Sequence, residues 1–137
     1  MAMKSAVFNL TQHEATGPQL DDGLLARTPA LAERIKELLT IPSSELLGPT
    51  ADASLADRAR QLAGIALDDF EEGCGAEFVM VGGHLELTAL VVKYLRQAGL
   101  VPVYSVSDRV SRDVFMADGT VKKVSEFTHL GWKSWKA

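Results

Sequence analysis

Between Ala76 and Val106 the hydrophobic period changes twice, and that alternation constrains the fold more than any other feature of the chain. Ala76–Val81 is a short apolar run of strand type that ends in Gly82-Gly83. From about His84 to Gln97 the apolar positions recur at helical intervals: Leu87, Leu90, Val91, Tyr94, Leu95 and then Ala98. Gly99 suits the C-cap, and Val101–Val106 is strand-like again. Strand, helix and strand joined by short connections read as a right-handed βαβ unit, whose two strands are necessarily parallel.

The remaining segments extend that unit. Ser5–Leu10 is apolar without clean alternation, as in a strand buried on both faces. Glu14–Pro18 reads as a turn because of Gly17-Pro18, and Gly23 leaves Gln19–Arg27 ambiguous. Thr28 is a good N-cap with Pro29 behind it, and Leu31, Ile35, Leu38 and Leu39 form a stripe that Pro42 closes. Ser43–Ser54 reads as a loop with one helical turn at Glu45–Leu47. Ser54, with Asp57 three residues on, predicts the start of a further helix lined by Leu55, Ala59, Leu62, Ala63, Ala66 and Leu67. After Ser107-Asp108, the runs Val110–Met116 and Val121–Thr128 flank Asp118-Gly119, a strong hairpin signal. The expected fold is α/β: one domain over residues 1–137, parallel core strands, flanking helices and a C-terminal β-hairpin. A fourth strand returning antiparallel to the third would make the fifth parallel again.

Charge narrows the partners. Net charge is −4, which argues against indiscriminate binding of long nucleic acid. Residues 1–75 hold 6 basic and 12 acidic side chains, and 76–137 hold 8 and 6, so the later half is +2. A small anionic ligand held by that half fits the balance, and so does scatter. No apolar run exceeds four or five residues, far short of a membrane span, and Met1–Lys4 lacks a signal-peptide stretch. The lone cysteine, Cys74, permits no internal disulfide and reads as structural, so the expected setting is cytoplasmic.

All three histidines follow strand-like runs: His13 after Ser5–Leu10, His84 after Phe78–Val81, and His129 after Val121–Thr128. In an open α/β sheet ligands bind outside the carboxyl ends of the strands, and histidine moves protons near neutral pH. If the fifth strand is parallel, the three imidazoles share one rim. Thr11, Gln12 and His13 offer phosphate or ribose contacts and a general acid or base, or else cap the strand. Gly82, Gly83 and His84 lie where free N–H groups favour an anion, though a tight turn alone also explains the glycines. Trp132 and Trp135, interleaved with Lys133 and Lys136, suit base stacking or a packed seam. Arg109, Arg112, Lys122 and Lys123 are usable phosphate neighbours, or simply solvated. No H-x-H, H-x₃-H or Cys-rich spacing supports a metal site.

The opening Phe8-Asn-Leu-Thr-Gln-His-Glu-Ala-Thr16, the middle Met80-Val-Gly-Gly83 and the end Glu126-Phe-Thr-His-Leu-Gly-Trp132 together resemble the CRISPR-associated ring nucleases. The three matches span nearly the whole chain and cover about a fifth of its residues. The resemblance implies a compact Rossmann-like domain, a homodimer with a two-fold pocket, and cleavage of cyclic oligoadenylate or a related cyclic oligonucleotide without metal or cofactor. Carried onto this chain, it makes His13 the acid/base candidate, with Thr11 and Gln12 orienting ribose or phosphate. Gly82, Gly83, His84, Arg109 and His129 become substrate-binding candidates, although which basic residue lines the pocket stays open. The rival expectations are a nucleotide second-messenger sensor or sponge that does not cut, and a three-histidine metal-dependent hydrolase.

Overall fold

The expected βαβ unit is present. β2 (Phe78–Met80), α4 (Leu85–Gln97) and β3 (Val101–Phe115) follow one another, and β2 pairs in parallel with β3, Phe78 opposite Val101. The computed structural model describes residues 5–73 and 75–135. Cys74, Lys136 and Met1–Lys4, each the subject of an expectation above, lie outside the described residues. β1 (Val7–Asn9) pairs in parallel with the other edge of β2, and β4 (Val121–Ser134) pairs antiparallel with β3. The order is β1-β2-β3-β4. The chain is thus a mixed α/β arrangement: a sheet with parallel strands, helices, and a C-terminal antiparallel strand pair.

Alternate residues of the short strands serve different faces. Phe8, Leu10, Val79 and Val81 pack into the main core with Ile35 and Leu38 of α2 (Pro29–Leu39), with Leu55, Ala59 and Leu62 of α3 (Ala51–Glu72), and with Leu87, Val91 and Leu95 of α4. Val7, Met80 and Val103 form a smaller cluster with Leu24, against which Trp132 packs. All three long helices therefore lie on one face. Crossovers of one hand that advance across a sheet without reversing stack their helices on the same side. The other face is partly covered by the segment that includes α1 (Gly17–Asp21).

Helix ends follow local chemistry. The Thr28 side chain accepts from the Leu31 N–H, as an N-cap should. At the end of α4, Ala98 rather than Gly99 is the C-cap. Gly99 follows at φ +83°, its N–H donating to the Arg96 carbonyl while the Leu100 N–H reaches Leu95. This is a Schellman closure, which needs glycine at the left-handed position.

Several expectations are corrected. The Gly17-Pro18 pair opens a short helix instead of only breaking the chain, because Thr16 and Gln19 form a capping box and proline is tolerated in a first turn. α3 begins at Ala51, a turn before Ser54, and the helical turn before it is a 3₁₀ turn at Ser43–Glu45. Ser107-Asp108 does not break the chain: β3 runs unbroken for 15 residues, and β4 is antiparallel to the core. Neither glycine nor proline lies between Pro102 and Gly119, so nothing in the backbone forces a turn there. The turn comes at Ala117–Gly119. Asp118 Oδ1 accepts from the Thr120 N–H and hydroxyl, and Gly119 takes φ +86°. Those two donors hold the Asp118 carboxyl below the usual carboxylate range.

The layering sets a contrast that denaturation can read. Leu62, fully buried between α3 and the sheet, should cost about 2–5 kcal/mol when cut to alanine. Leu47→Ala, at a residue 82% exposed, should stay within about 0.5 kcal/mol. Equal losses in urea unfolding would contradict this packing.

Candidate functional site

β1 and β2 end side by side, with the Leu10 N–H donating to the Met80 carbonyl at 3.0 Å. The segments that leave the two strands therefore begin as neighbours at the carboxyl rim. What the chain does next is set by Asn9, which is buried although its neighbours in the strand are apolar. Its Oδ1 accepts from the Thr11 N–H at 3.0 Å and the Thr11 hydroxyl at 2.7 Å, and its Nδ2 donates to the His13 carbonyl at 3.0 Å. The His13 N–H in turn donates to Thr11 Oγ1.

Arg27 completes the turn from outside. Its Nη1 donates to the carbonyls of Asn9, at 2.9 Å, and Thr11, and its Nη2 donates to that of His13 at 3.1 Å. Burial lowers the guanidinium from its ordinary value, with Glu14 opposing the shift. It remains a cation, since arginine is not deprotonated in proteins. The three carbonyls are thus tied to Arg27.

Thr11, Gln12 and His13 then meet Gly82, Gly83 and His84 around one hollow of about 90 Å³, completed by Leu39. Two motifs about 70 residues apart in the sequence are brought together. Gly83 adopts φ +119°, a conformation open to glycine at little cost. His84 is the N-cap of α4, its Nδ1 accepting from the Leu87 N–H at 3.5 Å. A neutral His84 in that role carries its proton on Nε2, leaving a donor for a ligand. The N–H groups of Gly82 and Gly83 have no backbone acceptor among the described residues. Donors of this kind beside the start of a helix favour an anion. The His13 and Gln12 side chains are exposed, whereas the Thr11 hydroxyl is engaged within the turn.

His129 does not join them. Leu130 is an extra residue in β4, so that Ser107 faces His129 while Val106 faces Gly131. Such a bulge re-aims side chains, and here it puts His129 and Trp132 on the same face with ring centroids 4.5 Å apart. His129 Nε2 meets Asp22 Oδ2 at 2.9 Å, Nδ1 contacts the Ser105 hydroxyl, and Trp132 Nε1 donates to the Asp22 carbonyl at 2.8 Å. These contacts clasp the end of α1 to β4. Arg109 lies on the exposed hairpin, donating to Ser125 Oγ, and does not line the hollow. Among the described residues no group of three His, Cys, Asp or Glu side chains is placed to hold a metal.

Asn9, Arg27, Asp22 and Ser105 are the residues that the sequence reading passed over. An asparagine inside an apolar strand run was the one available signal, since such residues are depleted from strands. Arg27 gave none, because its partners are backbone carbonyls.

The family model of the Uncharacterized protein MJ1673 family matches residues 5–133, and the chain belongs to that family. No curated protein and no solved structure matches it.

The turn network makes a stability prediction. Asn9→Ala removes the partners of three buried or half-buried polar groups and should cost about 2–4 kcal/mol. Gln12→Ala, at an exposed neighbour, should change stability by less than about 0.5 kcal/mol. Urea unfolding of the two variants checks both, and an Asn9→Ala protein as stable as the parent would remove the network from its central place.

Proposed function

We propose that this member of the MJ1673 family is a metal-independent ring nuclease, a phosphodiesterase that opens cyclic oligoadenylate or a related cyclic nucleotide messenger. Its activity would damp type III CRISPR-type signalling. The observation that carries the reading is the meeting of His13 with the Gly82–His84 turn in one hollow at the carboxyl rim. Phosphodiester cleavage of this kind needs an anion cradle and a proton-transfer group side by side. The resemblance of the same two segments to ring nucleases supplies the substrate class.

In the proposed reaction a ligand phosphate rests on the Gly82 and Gly83 N–H groups and the Nε2–H of His84. A ribose 2′-hydroxyl attacks the adjacent phosphorus in line, forming the O2′–P bond as the P–O5′ bond breaks. His13 either takes the 2′-hydroxyl proton while water protonates the departing O5′, or protonates O5′ while water takes the hydroxyl proton, and Gln12 orients ribose or phosphate. Thr11 acts by holding the turn that aims both. On this reading the parallel strands are the core of a Rossmann-like domain that works as a two-fold homodimer, because a 14.8 kDa chain offers limited surface to enclose several nucleotides.

A non-catalytic sensor or sponge at the same site is the second reading. It is favoured by one observation: among the described residues, no carboxylate hydrogen-bonds to the His13 ring to orient it.

Incubation with cyclic di-, tri-, tetra- and hexanucleotides, followed by chromatography, separates the two readings. The expected products are linear and end in a 2′,3′-cyclic phosphate, and they form equally in EDTA. His13→Ala should slow turnover by roughly 10²–10⁴-fold with the fold intact. His84→Ala should weaken binding more than it slows the chemical step. Ligands returned whole would select the sponge, and loss of activity in EDTA with rescue by zinc would overturn the metal-independent mechanism.

A further inference from the structure

Gly82 borders more than one hollow. Besides the one it shares with His13, it helps line a larger cavity of about 450 Å³ with Val81, Tyr104, Lys133, Ser134 and Trp135. We propose that this second cavity is a nucleobase subsite, taking the flat ring of a nucleotide whose phosphate lies on the Gly82–Gly83 turn. The phosphate half rests on the anion reading above. The base half stands on the cavity itself.

Its size falls within the ~300–1,000 Å³ of ordinary small-molecule sites. Tyr104 and Trp135 meet edge to face, with centroids 5.3 Å apart and planes at 63°. Trp135 also packs against the main core, so Tyr104 is the ring offered for stacking, and a nucleobase stacks on an aromatic face whatever its sequence identity. Lys133 sits opposite Tyr104 in the β3–β4 register, on the same face of the ladder, and has no carboxylate partner among the described residues. It adds a cation beside the place where ribose and phosphate would pass. Trp135 Nε1 is shielded from solvent and has no acceptor among the described residues. Buried indole N–H groups are normally paired, which makes this one a sensitive reporter of any change in the cavity wall.

Adenosine monophosphate and ribose 5-phosphate are the probes, because they differ only in the base. Titration of the unmodified protein, read by the Trp135 indole N–H resonance, needs no variant. Adenosine monophosphate should shift that resonance saturably and bind at least ~10-fold tighter than ribose 5-phosphate. Tyr104→Ala should weaken adenosine monophosphate by roughly 10–100-fold and leave ribose 5-phosphate unchanged. The subsite is overturned if the indole resonance stays still at millimolar adenosine monophosphate, or if the two probes bind alike. Base-dependent binding without cleavage of any cyclic nucleotide would keep the subsite and remove the ring-nuclease reading. Cleavage that Tyr104→Ala leaves untouched, with the probes binding alike, would do the reverse.

Discussion

Three backbone carbonyls, of Asn9, Thr11 and His13, are held by one guanidinium, and Asn9 holds the same turn from within. A chain leaving a buried strand must satisfy its polar groups before it reaches solvent. Here it does so with two side chains rather than with further secondary structure. The arrangement curls residues 11–13 back over the rim, where they meet the turn that leaves β2. Without it, His13 would sit on an untethered loop away from the Gly82–Gly83 turn. The cost of this device is a buried asparagine and a partly desolvated arginine.

A second tie joins the α1 segment to the last strand. The bulge at Leu130 turns His129 and Trp132 the same way, and both reach Asp22 at the end of α1. The two ties divide the histidines by role: His13 and His84 share the hollow, and His129 is buried as part of a clasp. The three long helices lie on one side because the strand order advances without reversal. The hollows of the rim are bounded by the start of α4, the loop after β1 and, beyond Gly82, the aromatic end of β4.

Much of the fold was legible because it rests on periodicity and on caps, which are properties of neighbouring residues. The βαβ unit, α2 behind Thr28-Pro29 and the Asp118-Gly119 hairpin all follow from such signals. The start of α3 and the continuity of β3 were not legible. Ser54 and Ser107-Asp108 have side chains suited to a cap or a turn, but nothing in them compels either. The meeting of Thr11–His13 with Gly82–His84 followed from parallel strands ending at one rim. The fate of His129 did not, since it depended on which way one strand ran and on a single extra residue in its ladder.

By itself, then, the sequence determined the long helices, the parallel core strands, and the polar residues that leave their carboxyl ends, because hydrophobic period and backbone chemistry act over a few residues. Only the tertiary structure decided which of those residues meet. Arg27 finds carbonyls 14 to 18 residues away, and Asp22 finds His129 across 107. Tyr104, Trp135 and Gly82 come to border one cavity from three separate segments. Such contacts carry no local pattern, because their geometry is set by strand pairing and register rather than by the residues beside them.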